Sequence, residues 1–231
     1  MKICLFSDIH GNANAFAEAK KMIVDEAADI NVFLGDLCGY YFDELAVLKS
    51  LKELPHLIAI KGNHDDSFLR AYQDSNCIQE YTQKYGKALR HCFSQDCSGL
   101  IAWLAEQPNY HEDVRNKFSC FHGSPWDHLN GYVYPDTDLS EFVTLPQGWF
   151  FLGHTHYPMF REIDGRIVVN PGSLGQPRNG CWPTYAVLDL ATRDVVFKEV
   201  QYDAGRLLRN VEVLDPESRY LGELIRRYYH E

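Results

Sequence analysis

Three short apolar runs near the N-terminus, ICLF at residues 3–6, VFLG at 32–35 and LIAI at 57–60, are separated by stretches of helical period at residues 13–28 and 43–54. This alternation constrains the fold more than any other feature. Strand-length runs joined by a dozen or more helical residues are the signature of parallel strands with crossover helices, because parallel neighbours cannot be linked by a tight turn. Residues 66–108 contain no strand-like run and read as helical, with Ser98 placed to cap a short helix that stops at Pro108. After them come KFSCF, WFFLG, MFREI, RIVVN, TYAVLDL and VVFKEV, with turn residues Asp164-Gly165 and 191–194 between neighbours. Asp215-Pro216-Glu217 carries a capping residue, a proline and an acid in sequence, so a closing helix is expected over residues 216–229. Parallel strands first and hairpins later imply an α/β fold with two mixed sheets packed face to face and helices outside. A chain of 231 residues without repeats or Gly/Ser linkers is read as one domain.

Five of the apolar runs pass directly into metal-ligand residue types. ICLF leads into Ser7-Asp8-Ile9-His10-Gly11-Asn12, and VFLG into Asp36. LIAIKG leads into Asn63-His64-Asp65, FSCF into His122-Gly123, and WFFLG into His154-Thr155-His156. Ligand sites of open α/β sheets form at the carboxyl ends of the strands, so these five loops are expected on one rim. Alternate residues of an extended segment face the same way, which lets Asp8 with His10, and His154 with His156, aim at one cluster. Oxygen and imidazole donors without thiolate favour manganese, iron or zinc in a working site over a structural zinc. The seven cysteines are odd in number and lack a C-x-x-C pair, so neither a disulfide framework nor a zinc ribbon is indicated, and Cys4 and Cys120 read as core residues. His56, His91, His111, His128 and His230 follow no such pattern and read as surface or hydrogen-bonded side chains.

Formal charge is −10, from 22 basic against 32 acidic residues. Such a surface is unsuited to gripping duplex nucleic acid or an anionic membrane. An anionic substrate would need a local positive site, which bound metal ions supply. The start, MKICLFSD, is too short in its apolar run for a secretory signal or a span, so a soluble, cytoplasmic protein is expected. Trp126, Tyr132, Tyr134 and Trp149 fit either a core or a face of a homo-oligomer.

Taken together, Asp8-Ile9-His10, Gly35-Asp36, Gly62-Asn63-His64-Asp65, His122 and Gly153-His154-Thr155-His156 resemble the D-x-H, G-D, G-N-H-D/E, H and G-H-x-H pattern of the calcineurin-like metallophosphoesterase superfamily. His122-Gly123-Ser124-Pro125, Asn170-Pro171-Gly172-Ser173 and Pro177-Arg178 extend the likeness to its small prokaryotic-type phosphodiesterase branch. The resemblance implies a four-layer α/β/β/α sandwich and two divalent transition-metal ions, manganese first among manganese, iron, zinc and nickel. One ion would take Asp8, His10, Asp36 and His156; the other would take Asp36, Asn63, His122 and His154. The implied activity is hydrolysis of a small phosphoester, a diester foremost, by a metal-activated hydroxide with His64 as general acid. A phosphomonoesterase, a nucleotide pyrophosphate hydrolase and a non-catalytic scaffold on the same fold are the alternatives.

Two departures from the family pattern matter. The G-D-x-x-D-R-G motif of the protein phosphatases is absent, and Gly39 stands where they carry the aspartate that orients the catalytic histidine. Asp65 or a backbone carbonyl is then expected to orient His64. Tyr41-Phe42 replaces a Gly-Pro frequent in the small branch, with an altered substrate entrance as the expected result. Arg178 and Asn12 are possible phosphate contacts, though an ion pair and a loop cap explain them equally well.

Overall fold

The computed structural model describes residues 1–229. In chain order the elements are β1 (Lys2–Phe6), α1 (Ala13–Asp25), β2 (Ile30–Phe33), α2 (Glu44–Leu51) and β3 (Leu57–Ala59), the βαβαβ unit expected from the apolar spacing. Four helices follow, α3 (Asn63–Gln73), α4 (Ser75–Tyr85), α5 (Ala88–Phe93) and α6 (Ser98–Glu106). The second half adds β4 (Tyr110–Asp113), β5 (Phe118–Phe121), β6 (Trp149–Leu152), β7 (Pro158–Ile163), β8 (Arg166–Pro171), β9 (Thr184–Asp189) and β10 (Asp194–Glu199). Two helices close the chain, α7 (Ala204–Leu214) and α8 (Arg219–Ile225). No helix among the described residues is long and apolar enough to cross a membrane.

Two five-stranded mixed sheets form, ordered β10-β9-β1-β2-β3 and β4-β5-β6-β8-β7. In the first, β1, β2 and β3 run parallel, and the β9-β10 hairpin adds antiparallel to β1. In the second, β5, β6 and β8 run parallel between antiparallel edges β4 and β7. Alternation along the strands fills the space between the sheets with Ile3, Leu5, Val32, Phe118, Cys120, Phe151, Ile167 and Val169. The other face of β1, through Cys4 and Phe6, packs on α1, α2, α3 and α6 by way of Phe16, Val47, Phe68 and Leu100. Residues 123–148, with a 3₁₀ turn at Ser140–Thr144, cover the outer face of the second sheet through Val133, Leu139 and Phe142. All seven cysteines are free, with Cys4 and Cys120 buried as expected.

Three readings of local sequence are corrected. Ser98 does not cap α6 but is its first residue, because the Asp96 carboxylate two positions earlier accepts from the Ser98 N–H at 3.1 Å and its hydroxyl at 2.7 Å. Asp215 is the C-cap of α7 rather than the start of a helix, and its carboxylate is turned inward to accept from the Lys87 N–H at 2.8 Å. The final helix therefore begins only after Ser218, and α7 lies ahead of the expected span, capped by Asp203 accepting from Arg206 N–H. β4 was not expected at all: it is an edge strand with Tyr110 and Glu112 exposed, and so carries no apolar run. The expected turn at Asp164-Gly165 is present, both residues having positive φ, as a two-residue hairpin turn requires.

Candidate metal centre

The parallel strands β1, β2 and β3 of one sheet and β5 and β6 of the other end at a common rim, and the five ligand-bearing loops start there. Backbone bonds lock the first two loops together: Asp8 N–H donates to Gly35 O at 3.0 Å, and His10 N–H to Asp36 O at 3.0 Å. Asp8, His10, Asp36, His154 and His156 all adopt left-handed backbone, with φ between 51° and 66°. Aspartate and histidine are among the side chains that tolerate this region, yet each such residue costs on the order of 1 kcal/mol. Five in one site mean that the surrounding ladders hold a conformation the residues would not choose.

Eight side chains singled out from the sequence converge here. Asp8, His10 and His156 form one group of donors within 4.8 Å of one another; Asp36, His122 and His154 form a second; His10, Asp36 and His64 form a third between them. Asn63 joins the second group, its Oδ1 3.0 Å from His122 Nε2. The Asp36 carboxylate stands between the groups, its Oδ2 3.2 Å from His122 Nε2 and 3.7 Å from His10 Nε2. His10, His122 and His156 are each fixed by an Nδ1–H donating to a backbone carbonyl, of Cys38 at 2.9 Å, Leu34 at 2.8 Å and Gln176 at 2.7 Å. Carbonyls only accept, so this arrangement turns every Nε2 inward, where each offers a lone pair to an ion once it is free of a proton.

The outcome is a cluster of acceptors with too few donors. His10 and His156 bring Nε2 to Nε2 at 3.1 Å, and Asp8 Oδ1, Asp36 Oδ2 and His154 Nε2 are buried without a hydrogen-bond partner among the described residues. Burial of polar atoms in this state costs about 1–3 kcal/mol apiece unless a cation shares them. The donor set of imidazole, carboxylate and one amide therefore fits divalent transition metals.

Charge within the cluster is unevenly held. Burial works to raise the Asp8 and Asp36 carboxyls, but His156 beside the first and His122 beside the second outweigh it and hold both low. Burial works against a charge on His122, yet the neighbouring Asp36 carboxylate carries it up to about 9. His64 and His154 go the other way, burial bringing them down to about 3 and about 4.

The description of a calcineurin-like phosphoesterase superfamily domain matches residues 1–193. The chain belongs to that superfamily. It is similar to a protein of Methanocaldococcus jannaschii without an assigned function, 25% identical with 96% of each chain covered. Its fold is similar to that of a metallophosphoesterase from Sphaerobacter thermophilus, at 22% identity and a TM-score of 0.80 with 98% of each chain covered. A hypothetical protein from Pyrococcus horikoshii shares the fold at a TM-score of 0.85 and 20% identity, with 97% of each chain covered. The superfamily is one of metal-dependent hydrolases, and the inward-facing donors agree with it.

Motifs at the edge of the site act as braces. Asn170 donates to Gly153 O at 2.6 Å and to Thr155 Oγ1 at 3.0 Å, and Ser173 Oγ donates to Asp8 O at 2.8 Å. The Asn-Pro-Gly-Ser stretch thus ties the His154-His156 loop to the Asp8 loop. The Asp65 carboxylate makes no hydrogen bond to the His64 ring. It accepts from the N–H groups of Asp36 at 2.8 Å, Gly62 at 3.0 Å and Cys38 at 3.0 Å, which shapes the bridging loop. The partner of His64 is Tyr81, whose hydroxyl is 2.6 Å from Nδ1. Tyr81 lies on α4 in a stretch with no motif, so nothing in the sequence marked it.

Other expectations change. Tyr41 and Phe42 do not line an entrance; they are buried against Leu207, Val211 and Ile225 of the closing helices. Tyr40 meets the site instead, its ring 4.7 Å from His10 and 4.9 Å from His64. Asn12 caps α1 and donates to Gly175 O and the Tyr202 hydroxyl, so its amide is used in structure. Trp149 is core, while Tyr132 is exposed with its ring 4.2 Å from that of His154. His56, His91, His111 and His128 stay outside the cluster, and His230 lies outside the described residues.

Proposed function

We propose that this chain is a dinuclear metal-dependent phosphodiesterase. Asp8, His10, Asp36 and His156 would hold one divalent ion and Asp36, Asn63, His122 and His154 the other, with Asp36 shared. When bound, two such ions supply the charge that clamps a phosphoryl group and acidify an attacking water. The observation that supports this most is the buried meeting of imidazole lone pairs and unpartnered carboxylate oxygens. A chain of net charge −10 would otherwise have no reason to gather acceptors there.

His64 is next to Asn63 in sequence and its Nδ1 is engaged by Tyr81, so its other ring nitrogen would pass the proton to the leaving oxygen, which requires the bound phosphate anion to raise the ring from the value of about 3 that burial gives it. The diester reading rests on the Ser124-Pro125, Asn170–Ser173 and Pro177-Arg178 motifs of the small branch. Tyr132, exposed beside His154, offers a second ester group a surface to lie on. A preference for monoesters or pyrophosphates is the competing outcome, since a two-metal core sees only the phosphoryl centre.

Elemental analysis combined with a substrate panel tests the proposal. Purified protein should carry about two transition-metal ions per chain, manganese foremost, and hydrolyse bis-p-nitrophenyl phosphate faster than p-nitrophenyl phosphate. His64→Ala should lose roughly 10²-fold or more in kcat while keeping its metals. Absence of both metal and hydrolysis would favour a scaffold, and faster monoester turnover would overturn the diester preference.

A further inference from the structure

His64 is packed on several sides by rings: His10 at 4.9 Å, Tyr40 at 4.9 Å and Tyr85 at 4.5 Å between centroids. Packing of this kind confines the imidazole but cannot tell it from its flipped form, because ring C–H and N–H groups are nearly the same size. Only a directional bond makes that distinction. For His64 the bond is the one from Nδ1 to the Tyr81 hydroxyl, with both residues buried.

Gly39 makes the contact possible. A Cβ at that position would lie 2.5 Å from the Tyr81 hydroxyl and 2.6 Å from His64 Nδ1, inside the space where the two side chains meet. Any other residue at 39 would push them apart. The loop that follows Asp36 has therefore given up its own side chain, and α4 delivers a substitute from 17 residues further along the chain than His64.

We propose that Tyr81 is the positioning residue for His64: its hydroxyl selects the ring orientation that turns Nε2 toward the leaving oxygen. This rests on the proposed role of His64 as proton donor. A hydroxyl differs from the carboxylate it replaces in carrying no charge and in being able either to donate or to accept. Nδ1–H donates to the hydroxyl oxygen both in the protonated ring and in the neutral ring left when Nε2 gives up its proton, so one hydrogen bond holds the orientation throughout the transfer.

The test is a leaving-group series of aryl methyl phosphodiesters, from p-nitrophenyl to unsubstituted phenyl, with the manganese-loaded protein. A proton donor matters little for a leaving group that is stable as an anion and much for one that is not. Tyr81→Phe should lose threefold or less on the p-nitrophenyl ester and roughly 10- to 100-fold on the phenyl ester. In a His64→Ala background the same change should have no further effect, because the two residues act as one unit. Equal losses across the series, or an added loss in the double variant, would make Tyr81 a structural residue and overturn the proposal. If the wild type hydrolyses none of these esters, the functional reading fails by itself, and nitrogen NMR of the imidazoles still decides the contact. The His64 Nδ1 signal should move in Tyr81→Phe while the His56 signals do not, and an unchanged His64 signal would refute it.

Discussion

Glu44→Gln should flatten part of the dependence of stability on pH. Glu44 opens α2, is only 1% exposed, and neither carboxylate oxygen has a well-formed hydrogen bond among the described residues. Burial pushes its pKa from 4.5 up to about 8; the N–H groups of Glu44 and Gly39 soften the effect and Asp43 adds to it. The folded state therefore binds this proton more tightly than the unfolded chain. Below about 4.5 both states hold the proton and its contribution is fully present. Between 4.5 and about 8 only the folded state holds it, so stability falls with rising pH by up to about 1.4 kcal/mol per unit. Across that window the loss is about 5 kcal/mol at most, and above it the slope vanishes. Glutamine has nearly the same shape and never ionises. Urea unfolding of both proteins from pH 5 to 9 at fixed chelator isolates the effect, because every other titration cancels in the difference. Wild type and variant should be similar at pH 5, and the variant should be more stable by more than about 2 kcal/mol at pH 8. A difference that stays constant within about 0.5 kcal/mol would refute the reasoning.

Three further outcomes are expected. Gly39→Ala places a methyl group within 2.6 Å of His64 Nδ1 at φ +98°, and should lower kcat roughly 10- to 100-fold with metal content retained; wild-type turnover would contradict the contact. Asp65→Asn leaves one of the three backbone N–H groups facing an amide donor, so about 2–3 kcal/mol of stability should go, lowering Tm by roughly 5–10 °C in thermal denaturation. Removing metal with a chelator should lower Tm against protein held at a free ion concentration 100 times Kd, by a loss of about 2.7 kcal/mol for each ion bound; coincident melting curves would show that the cluster binds no ion.

The parts legible in the sequence are those where physical chemistry is local or repeats. Apolar runs with period two or 3.6 gave β1 to β3 and the later hairpins, and the ligand types at strand ends gave the eight side chains that converge. Elements without such a signal were lost. β4 is an exposed edge, so its pattern is that of a loop. α7 hides because its cap, Asp203, is followed by Gly205, a residue that weakens a helix reading. Asp215 reads as a helix start from its neighbours, yet Lys87, 128 residues away, turned it into a stop. Tyr81 had no chance of being read, since its meaning depends on Gly39 being empty and on α4 crossing above it. Spacing tells which residues share a face; it does not tell which face a distant helix will touch.

The left-handed backbone at Asp8, His10, Asp36, His154 and His156 also bears on how the protein would take up the proposed ions. Ligands on relaxed loops would have to be gathered by the ion, and affinity would fall by the disorder lost in gathering them. Here that disorder is lost while the sheets assemble, so an incoming ion meets donors already in register and displaces only water and protons. Such a cradle yields little when ions of different radius are offered, and it offers nearly the same donors to each. If ions bind as proposed, the choice among divalent metals would then follow what the cell supplies during and after synthesis, more than the protein's own preference.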